Sequence, residues 1–407
     1  MMGPDWSLLP AELLEAIVER ITSLADYIRF RAVCHPWRSA SSPRPRHLPT
    51  QIPWLMLPYK TQGNSGSTRL FYDLSTSKIH RLDLPETRGV KICGCSHGWF
   101  VLHKGRVTSL FNPITRATVS LPPYIVPFSH LGLAPDGSSN DVVGLAPDGL
   151  WNGVPFLESW EDQYSNVSLT ETFIVRKAIL TSSPLDTSCM VIVSTTSSLK
   201  LSFCKIGDKC WTVVAFKACY LWDFSYRNGF LYTINSFGSV TKYDLINPSK
   251  MVLCGNGMKA SYCKYLVDGI AGDVLLISSR WTYGGRVGVE CECDYRVWKF
   301  SDDEEKWIEV NDVGKNVLFL GGGRHAFSLS SANLQLPDWG ANCFYYDSQN
   351  PQGQWKNQQD RFQLFSDNKI TLARLDIGTV TDIIGDLGSF HFNEYWQMSF
   401  WLTPSLL

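Results

Sequence analysis

Charge is scarce in this chain. Asp, Glu, Lys and Arg supply 18% of the 407 residues, below the roughly 25% of an average soluble domain. The 37 basic side chains nearly balance the 38 acidic ones, for a net charge of -1. Such a surface exerts no general pull on nucleic acid or an anionic membrane, so neither is expected as a main partner. Long hydrophobic runs are missing as well. The uncharged stretch 117–135 contains Pro122, Pro123, Pro127 and Pro135, which a continuous spanning helix does not tolerate. Asp5, Glu12, Glu15, Glu19 and Asp26 break up any apolar leader core near the start. A soluble, intracellular chain is therefore expected. No two of the 12 cysteines form a C-x-x-C pair, and in a reducing compartment most should be buried thiols. G-x-S-x-G, H-E-x-x-H and EF-hand loops do not occur.

Aromatic and apolar residues are plentiful. Aromatics reach 13%, with 15 Trp, and hydrophobic residues 44%. A large core is within reach and intrinsic disorder is excluded. The length accommodates one large β architecture, or one domain plus a small module.

The first 42 residues differ from the rest. Leu13, Leu14, Ile17, Val18 and Ile21 follow the spacing of one helix face, with Glu12, Glu15, Glu19 and Arg20 opposite. Pro10 suits the first turn. Ser23 and Asp26 read as a capping box for a second helix bearing Leu24, Tyr27, Ile28 and Phe30. Pro36 starts a third short turn near Val33, Cys34 and Trp37. About 40 residues cannot build a self-sufficient core, yet three short helices cannot hide all these apolar side chains among themselves. Either the helices pack on the downstream domain or a partner covers them.

Leu8-Leu9-Pro10-x-x-Leu13-Leu14-x-x-Ile17, followed by Leu24-x-Asp26-Tyr27-Ile28-Arg29-Phe30-Arg31-Ala32-Val33-Cys34-x-x-Trp37-Arg38, resembles an F-box across the whole motif. That resemblance implies docking on a Skp-type adaptor and, through it, on a cullin-based ubiquitin ligase. It also implies that Leu8, Leu9, Pro10, Leu13, Leu14, Ile17, Ile21, Leu24, Ile28, Val33, Cys34 and Trp37 lie at or under the adaptor interface.

Prolines 43, 45, 49, 53 and 58 mark residues 43–60 as an extended, fairly stiff linker, or else a crossover packed on the body. From residue 61 to 407 helical periodicity gives way to short runs of Val, Ile, Phe, Tyr, Trp and Thr between Gly, Asp, Asn and Ser clusters. One phrase recurs: an aromatic strand, a turn with Asp, Asn, Pro or Ser, and a second strand. With Phe71, Phe111, Phe203, Tyr243, Trp298 and Tyr345 as markers, the gaps are 40, 92, 40, 55 and 47 residues. The gap of 92 suggests a hidden copy near 170–195, and the period is then about 46 residues, that of four-stranded propeller blades. The fold class expected is a small all-α module followed by an all-β body, a β-propeller of six or seven blades, with an irregular stack of β-sheets as the alternative.

Gly94-Cys95-Ser96-His97-Gly98-Trp99, Leu110-Phe111-Asn112-Pro113-Ile114-Thr115 and Leu121-Pro122-Pro123 resemble plant F-box-associated propellers. The run Val317 to Leu329 and the ending Trp401-Leu402-Thr403-Pro404-Ser405-Leu406 are similar to the C-terminal domain of unknown function of plant F-box proteins. This implies a non-catalytic substrate receptor of the nucleus or cytoplasm, with a target protein that the sequence does not name. Gly132 to Gly137 recurs at Gly144 to Gly149, as a local loop duplication would.

Four motifs invite other chemistry. Cys93-Gly94-Cys95 with His97 and His103 has poor spacing for a closed zinc site, although alternation puts both thiols on one sheet face; Cys291-Glu292-Cys293-Asp294 is similar. Both read as structural thiols. Gly321-Gly322-Gly323-Arg324-His325 lacks the following helix of a phosphate cradle and reads as a strand–turn–strand corner. Asp302-Asp303-Glu304-Glu305 reads as a solvated hairpin tip. No catalytic residue, metal or cofactor is expected. Two competitors remain: a scaffold that does not promote degradation, and a propeller enzyme or ligand sensor whose F-box regulates its level.

Overall fold

The computed structural model describes residues 5–43, 45–57, 59–60, 66–105, 107–123, 150–151, 154–155, 175–195, 201–214, 221–235, 239–245, 251–254, 263–270, 272–282, 292–301, 304, 306–322, 325–334, 343–347, 364–367, 370–374, 379–384, 389–392, 396–397 and 400–406. The duplicated loop 132–149 lies outside them, as do Cys291, Asp302, Asp303, Glu305, Gly323 and Arg324.

Three α-helices open the chain: α1 (Ala11–Val18), α2 (Leu24–Ala32) and α3 (His35–Ser39). Pro10 is the N-cap of α1, and Glu19 already ends it, so the helix stops short of Ile21. The Ser23 side chain caps α2 by accepting from the Asp26 N–H. Leu14, Val18, Tyr27 and Phe30 form the module's own core. Leu9, Ile21 and Trp37 pack at its margin, together with Leu48 from the connector and Leu406 from the far end of the chain.

Six sheets of four or five strands follow among the described residues. Each of the six aromatic markers sits in the third strand of its sheet. The first sheet runs Phe400–Leu402, Trp54–Met56, Thr68–Asp73, Lys78–Asp83. Its first two strands pair antiparallel, Trp54 opposite Leu402, so strands from near the two ends of the chain share one sheet. Trp54–Met56 therefore belongs to the body, although it lies within the range read as a linker. The second sheet runs Lys91–Ser96, Trp99–Lys104, Val107–Phe111, Thr118–Ser120. The third, fourth and fifth are antiparallel four-strand meanders that begin at Val175, Leu221 and Cys263. The sixth has five strands in the order Ala326–Ser330, Asn316–Leu320, Cys343–Asp347, Ile370–Arg374, Thr379–Ile384, with a parallel pair between the second and third.

The hidden copy expected near 170–195 is not a separate sheet. Val175–Leu180 and Met190–Thr195 are the first two strands of the sheet that contains Phe203. The extra length between the markers Phe111 and Phe203 lies ahead of Val175, in residues 121–174, of which only 121–123, 150–151 and 154–155 are among the described residues.

Local chemistry explains the recurring phrase. After the third strand an Asp or Asn folds its side chain onto the next backbone amides, a turn these residues favour. Asp73 Oδ1 accepts from the Ser75 N–H at 2.8 Å. Asn112 Oδ1 accepts from Ile114 and Thr115 N–H at 2.9 and 3.0 Å. His97-Gly98 and Asn228-Gly229 turn two hairpins with positive φ at both residues, the conformation a two-residue hairpin loop needs.

Cores lie between sheets. Cys93, Trp99 and Val101 of the second sheet pack with Val175, Ala178 and Val191 of the third. Leu266, Val274 and Phe300 of the fifth pack with Tyr232, Ile234 and Val240 of the fourth. Met56, Phe71 and Phe400 of the first pack with Ile92 and Phe100 of the second.

Candidate adaptor-docking face and the polar hub of the sheets

Helix α1 splits its apolar residues between two faces. Leu14 and Val18, one turn apart, are 1% and 5% exposed. Leu13 and Ile17, also one turn apart, are 52% and 40% exposed. Leu8, Ile28 and Val33 are exposed too, as is Trp6, which the sequence pattern had not singled out. Six large apolar side chains on a module of about 40 residues form an unusual surface, since isolated exposed hydrophobes are ordinary but a concentration marks a contact site.

The structure thereby divides the expected interface residues. Leu8, Pro10, Leu13, Ile17, Ile28 and Val33 face solvent. Leu14 and Leu24 do not: they are buried within the protein, Leu14 in the module's own core and Leu24 at 3% exposure. A helix this short needs its inward stripe for its own packing, so those two residues lie beneath the exposed face rather than on it. Leu9, Ile21, Cys34 and Trp37 are half-buried. The Trp37 ring lies 4.6 Å from that of Phe30, and its Nε1–H donates to the Trp6 carbonyl at 3.0 Å. That bond holds the segment bearing Trp6 and Leu8 against α3.

The body carries its unusual chemistry on the strands that open the third to sixth sheets. Lys177 and Asp223 are 4% and 1% exposed, and Lys177 Nζ sits 2.6 Å from Asp223 Oδ1. The ammonium also donates to the Phe224 carbonyl at 3.0 Å. Asp223 accepts from the N–H groups of Phe224 at 2.8 Å and Leu266 at 2.9 Å. One carboxylate thus ties together the third, fourth and fifth sheets. Ser225 donates to the Asp268 carboxylate, and Ser328 donates to the Asp268 carbonyl, which brings in the sixth. Burial raises the Asp268 carboxyl above its usual range, against the pull of Ser225, Arg227 and Lys177.

His325 completes the hub. Its ring lies 4.8 Å from that of Phe400, and burial holds it well below the ordinary imidazole range, with Lys177 and Lys91 adding repulsion and a hydrogen bond to the Cys93 backbone opposing. Its Nε2 is buried without a hydrogen-bond partner. Trp401 Nε1–H donates to the Leu320 carbonyl at 3.0 Å, which joins the sixth sheet to the first.

The cysteine pair behaves differently from a simple alternating strand. The pairing of Lys91–Ser96 with Trp99–Lys104 shifts register between Ile92 and Gly94, a bulge that leaves Cys93 without an opposite residue. Cys93 consequently packs toward the third sheet and Cys95 toward the first, so the two thiols do not share a face. Cys93 donates to the Val175 carbonyl at 3.2 Å, and burial pushes its thiol up to about 12. Among the described residues, no three His, Cys, Asp or Glu side chains gather as a metal-ligand set. The segment after Gly321 is the strand Ala326–Ser330 paired back on Asn316–Leu320, with the Gly321 N–H donating to the His325 carbonyl at 2.8 Å. It is a corner between strands, with no helix N-terminus to meet a phosphate. Glu304 lies between paired strands Glu292–Ser301 and Lys306–Val310, at a hairpin tip. Among the described residues no helix is long and apolar enough to cross a membrane.

Comparison with known proteins agrees with this architecture. The sequence profile of the KIB1-4 β-propeller matches residues 71–370. The F-box protein SKIP23 of Arabidopsis thaliana is 24% identical over 371 residues, covering 84% of this chain and 84% of that protein. The Arabidopsis F-box protein At2g26160 is 21% identical over 338 residues, 79% of this chain and 89% of the relative. A third, F-box protein At4g00893, reaches 33% identity over 146 residues, 35% of this chain and 36% of its own length. The chain belongs to the KIB1-4 β-propeller family and is a plant F-box protein with a propeller-like body.

Proposed function

We propose that this protein is a substrate-recognition subunit of an SCF-type ubiquitin ligase: the helical module docks a Skp-type adaptor, the adaptor brings cullin, and the body holds a target protein for ubiquitination and degradation. The observation that carries this reading is the split of α1, with Leu14 and Val18 inward and Leu13 and Ile17 bare. A buried Leu or Ile contributes about 1.5–3 kcal/mol. Five or six such side chains exceed the entropy cost of association, about 4–15 kcal/mol, only when most are covered at once, so the interface needs the set rather than any single anchor. The names of the Arabidopsis relatives support the same role.

The body in this reading is a six-bladed propeller ring. Support comes from the chain of contacts between neighbouring sheets: first to second through Phe71 and Phe100, second to third through Cys93 and Val175, and third to fifth through Lys177, Asp223 and Leu266. Ser225, Asp268 and Ser328 extend it to the sixth, and Leu320 with Trp401 returns it to the first. The pairing of Trp54–Met56 with Phe400–Leu402 would then close the ring. The receptor itself performs no catalysis. It raises the effective concentration of target lysines near the charged ubiquitin-conjugating enzyme, in the nucleus or cytoplasm.

Co-expression of the full chain with a Skp-type adaptor tests the docking. The wild type should co-purify, and Leu13→Asp with Ile17→Asp should not. Retained binding by a folded double variant would overturn the assignment.

A further inference from the structure

Two separate legs join the helical module to the body, and they leave the same place. The connector enters the body at strand Trp54–Met56, and the last segment of the chain leaves it at strand Phe400–Leu402, with Trp54 directly opposite Leu402. Each leg then grips the module independently. On the connector, Gln51 Oε1 accepts from the Leu24 N–H at 3.0 Å, and Gln51 Nε2 donates to the Thr22 carbonyl at 3.2 Å. This side chain serves both the start of α2 and the turn before it. Leu48 adds an apolar contact to the module's core.

The second leg is residues 403–406. Asn112 Nδ2 donates to the Ser405 carbonyl at 3.1 Å, and Gly98 lies so close that a Cβ there would clash with Ser405. The tail is thus pinned to the second sheet. One residue later Leu406 packs into the cluster of Leu14, Val18, Tyr27 and Phe30. Four residues span at most about 13–14 Å, so a tail pinned at both ends holds the module close to the first and second sheets.

A single connector leaves a module free to swing. Two legs that spring from paired strands and attach at different points of the module leave little rotation. We infer that the tail 403–406 is a clasp that fixes the orientation of the exposed α1 face relative to the body, with Leu406 as its module-side anchor and Asn112 as its body-side anchor. The inference deepens the adaptor-docking reading: it makes the distance between adaptor and held protein a property of this clasp. Its test, however, needs no adaptor.

Limited trypsin digestion of the full chain provides that test. Arg46 is an exposed residue of the connector, and cleavage after it reports undocking, whereas cleavage after Arg20 and Arg29, beside or within α1 and α2, reports unfolding of the module. Leu406→Ala removes the module-side anchor. Asn112→Asp keeps the acceptor for the turn but loses the donor to Ser405, and it leaves the module untouched. Both variants should speed cleavage after Arg46 by about tenfold, the effect of losing part of one Leu burial in the first and one hydrogen bond in the second, with Arg20 and Arg29 cut no faster than in the wild type. Unchanged cleavage after Arg46 in both variants would overturn the clasp. Equal acceleration at all three sites would also overturn it, because the tail would then be part of the module's fold. A failure of adaptor binding in the wild type would strike the proposed function alone.

Discussion

The buried pair Lys177–Asp223 allows a prediction of order as well as size. Breaking one side of such a pair costs about 3–5 kcal/mol, because the other charge stays buried. The two partners are not equally supported. In Lys177→Met, Asp223 keeps the N–H groups of Phe224 and Leu266, two donors within 2.9 Å, so the loss should fall near the lower end, about 3 kcal/mol. In Asp223→Ala, the Lys177 ammonium loses its counter-charge and keeps the Phe224 carbonyl and the Phe224 ring, 5.2 Å away, and two buried N–H groups lose their acceptor. Each orphaned group adds about 1–3 kcal/mol, so this variant should lose at least about 5 kcal/mol. Urea unfolding of the full chain, followed by Trp fluorescence, compares the midpoints. Asp223→Ala should unfold at distinctly lower urea than Lys177→Met. Equal midpoints, or a shift below about 1 kcal/mol for either, would refute the view that Asp223 links three sheets.

Other perturbations have equally definite outcomes. A Cβ at Gly94 would run into the Ala178 carbonyl, so Gly94→Ala should force the second and third sheets apart and lower the melting temperature by several degrees in calorimetry. His325, held well below the ordinary imidazole range by burial, stays neutral in the fold while the unfolded chain takes a proton near pH 6.5. Stability should therefore be flat above that pH and fall as the pH drops below it, with Asp268 opposing at more acid pH because its raised carboxyl protonates more readily when folded. His325→Phe should flatten the slope between pH 6.5 and 5 in denaturant titrations. Cys93 and Cys204, pushed up to about 12 by burial, should resist iodoacetamide at pH 8 in the native state, whereas exposed Cys210 should be modified within minutes, as peptide mass spectrometry would record.

Much of this was legible in the residues, and the failures have physical causes. The helical module could be read because caps and spacing are local: Ser23 and Pro36 stand where the helices begin. The aromatic markers worked because Asx turns such as those of Asp73 and Asn112 follow the third strand of a sheet. The α1 spacing could not say which of two adjacent apolar residues turns inward, since Leu13 and Leu14 fit the same pattern; the choice comes from contact with Tyr27 and Phe30 on another helix. Alternation misplaced Cys93 and Cys95 because a bulge is invisible to a period of two. Pairing between Trp54 and Leu402, or packing of Leu406 on Leu14, spans almost the whole chain and leaves no mark in any local window. The hub of Lys177, Asp223, Asp268 and His325 was missed for the same reason: its members come from separate segments far apart in sequence. The local hint was the pair of cations Arg176 and Lys177 in the strand Val175–Leu180, whose other four residues are apolar.

Affinity capture of the tagged full chain from plant cells, with quantitative identification of what comes with it, tests the receptor account most directly. Compared with the wild type, Leu13→Asp with Ile17→Asp should lose the Skp-type adaptor and cullin, keep the proteins held by the body, and raise the cellular abundance of at least one of them. Adaptor and cullin retained by the folded variant, or held proteins whose abundance does not change when the adaptor is lost, would contradict it.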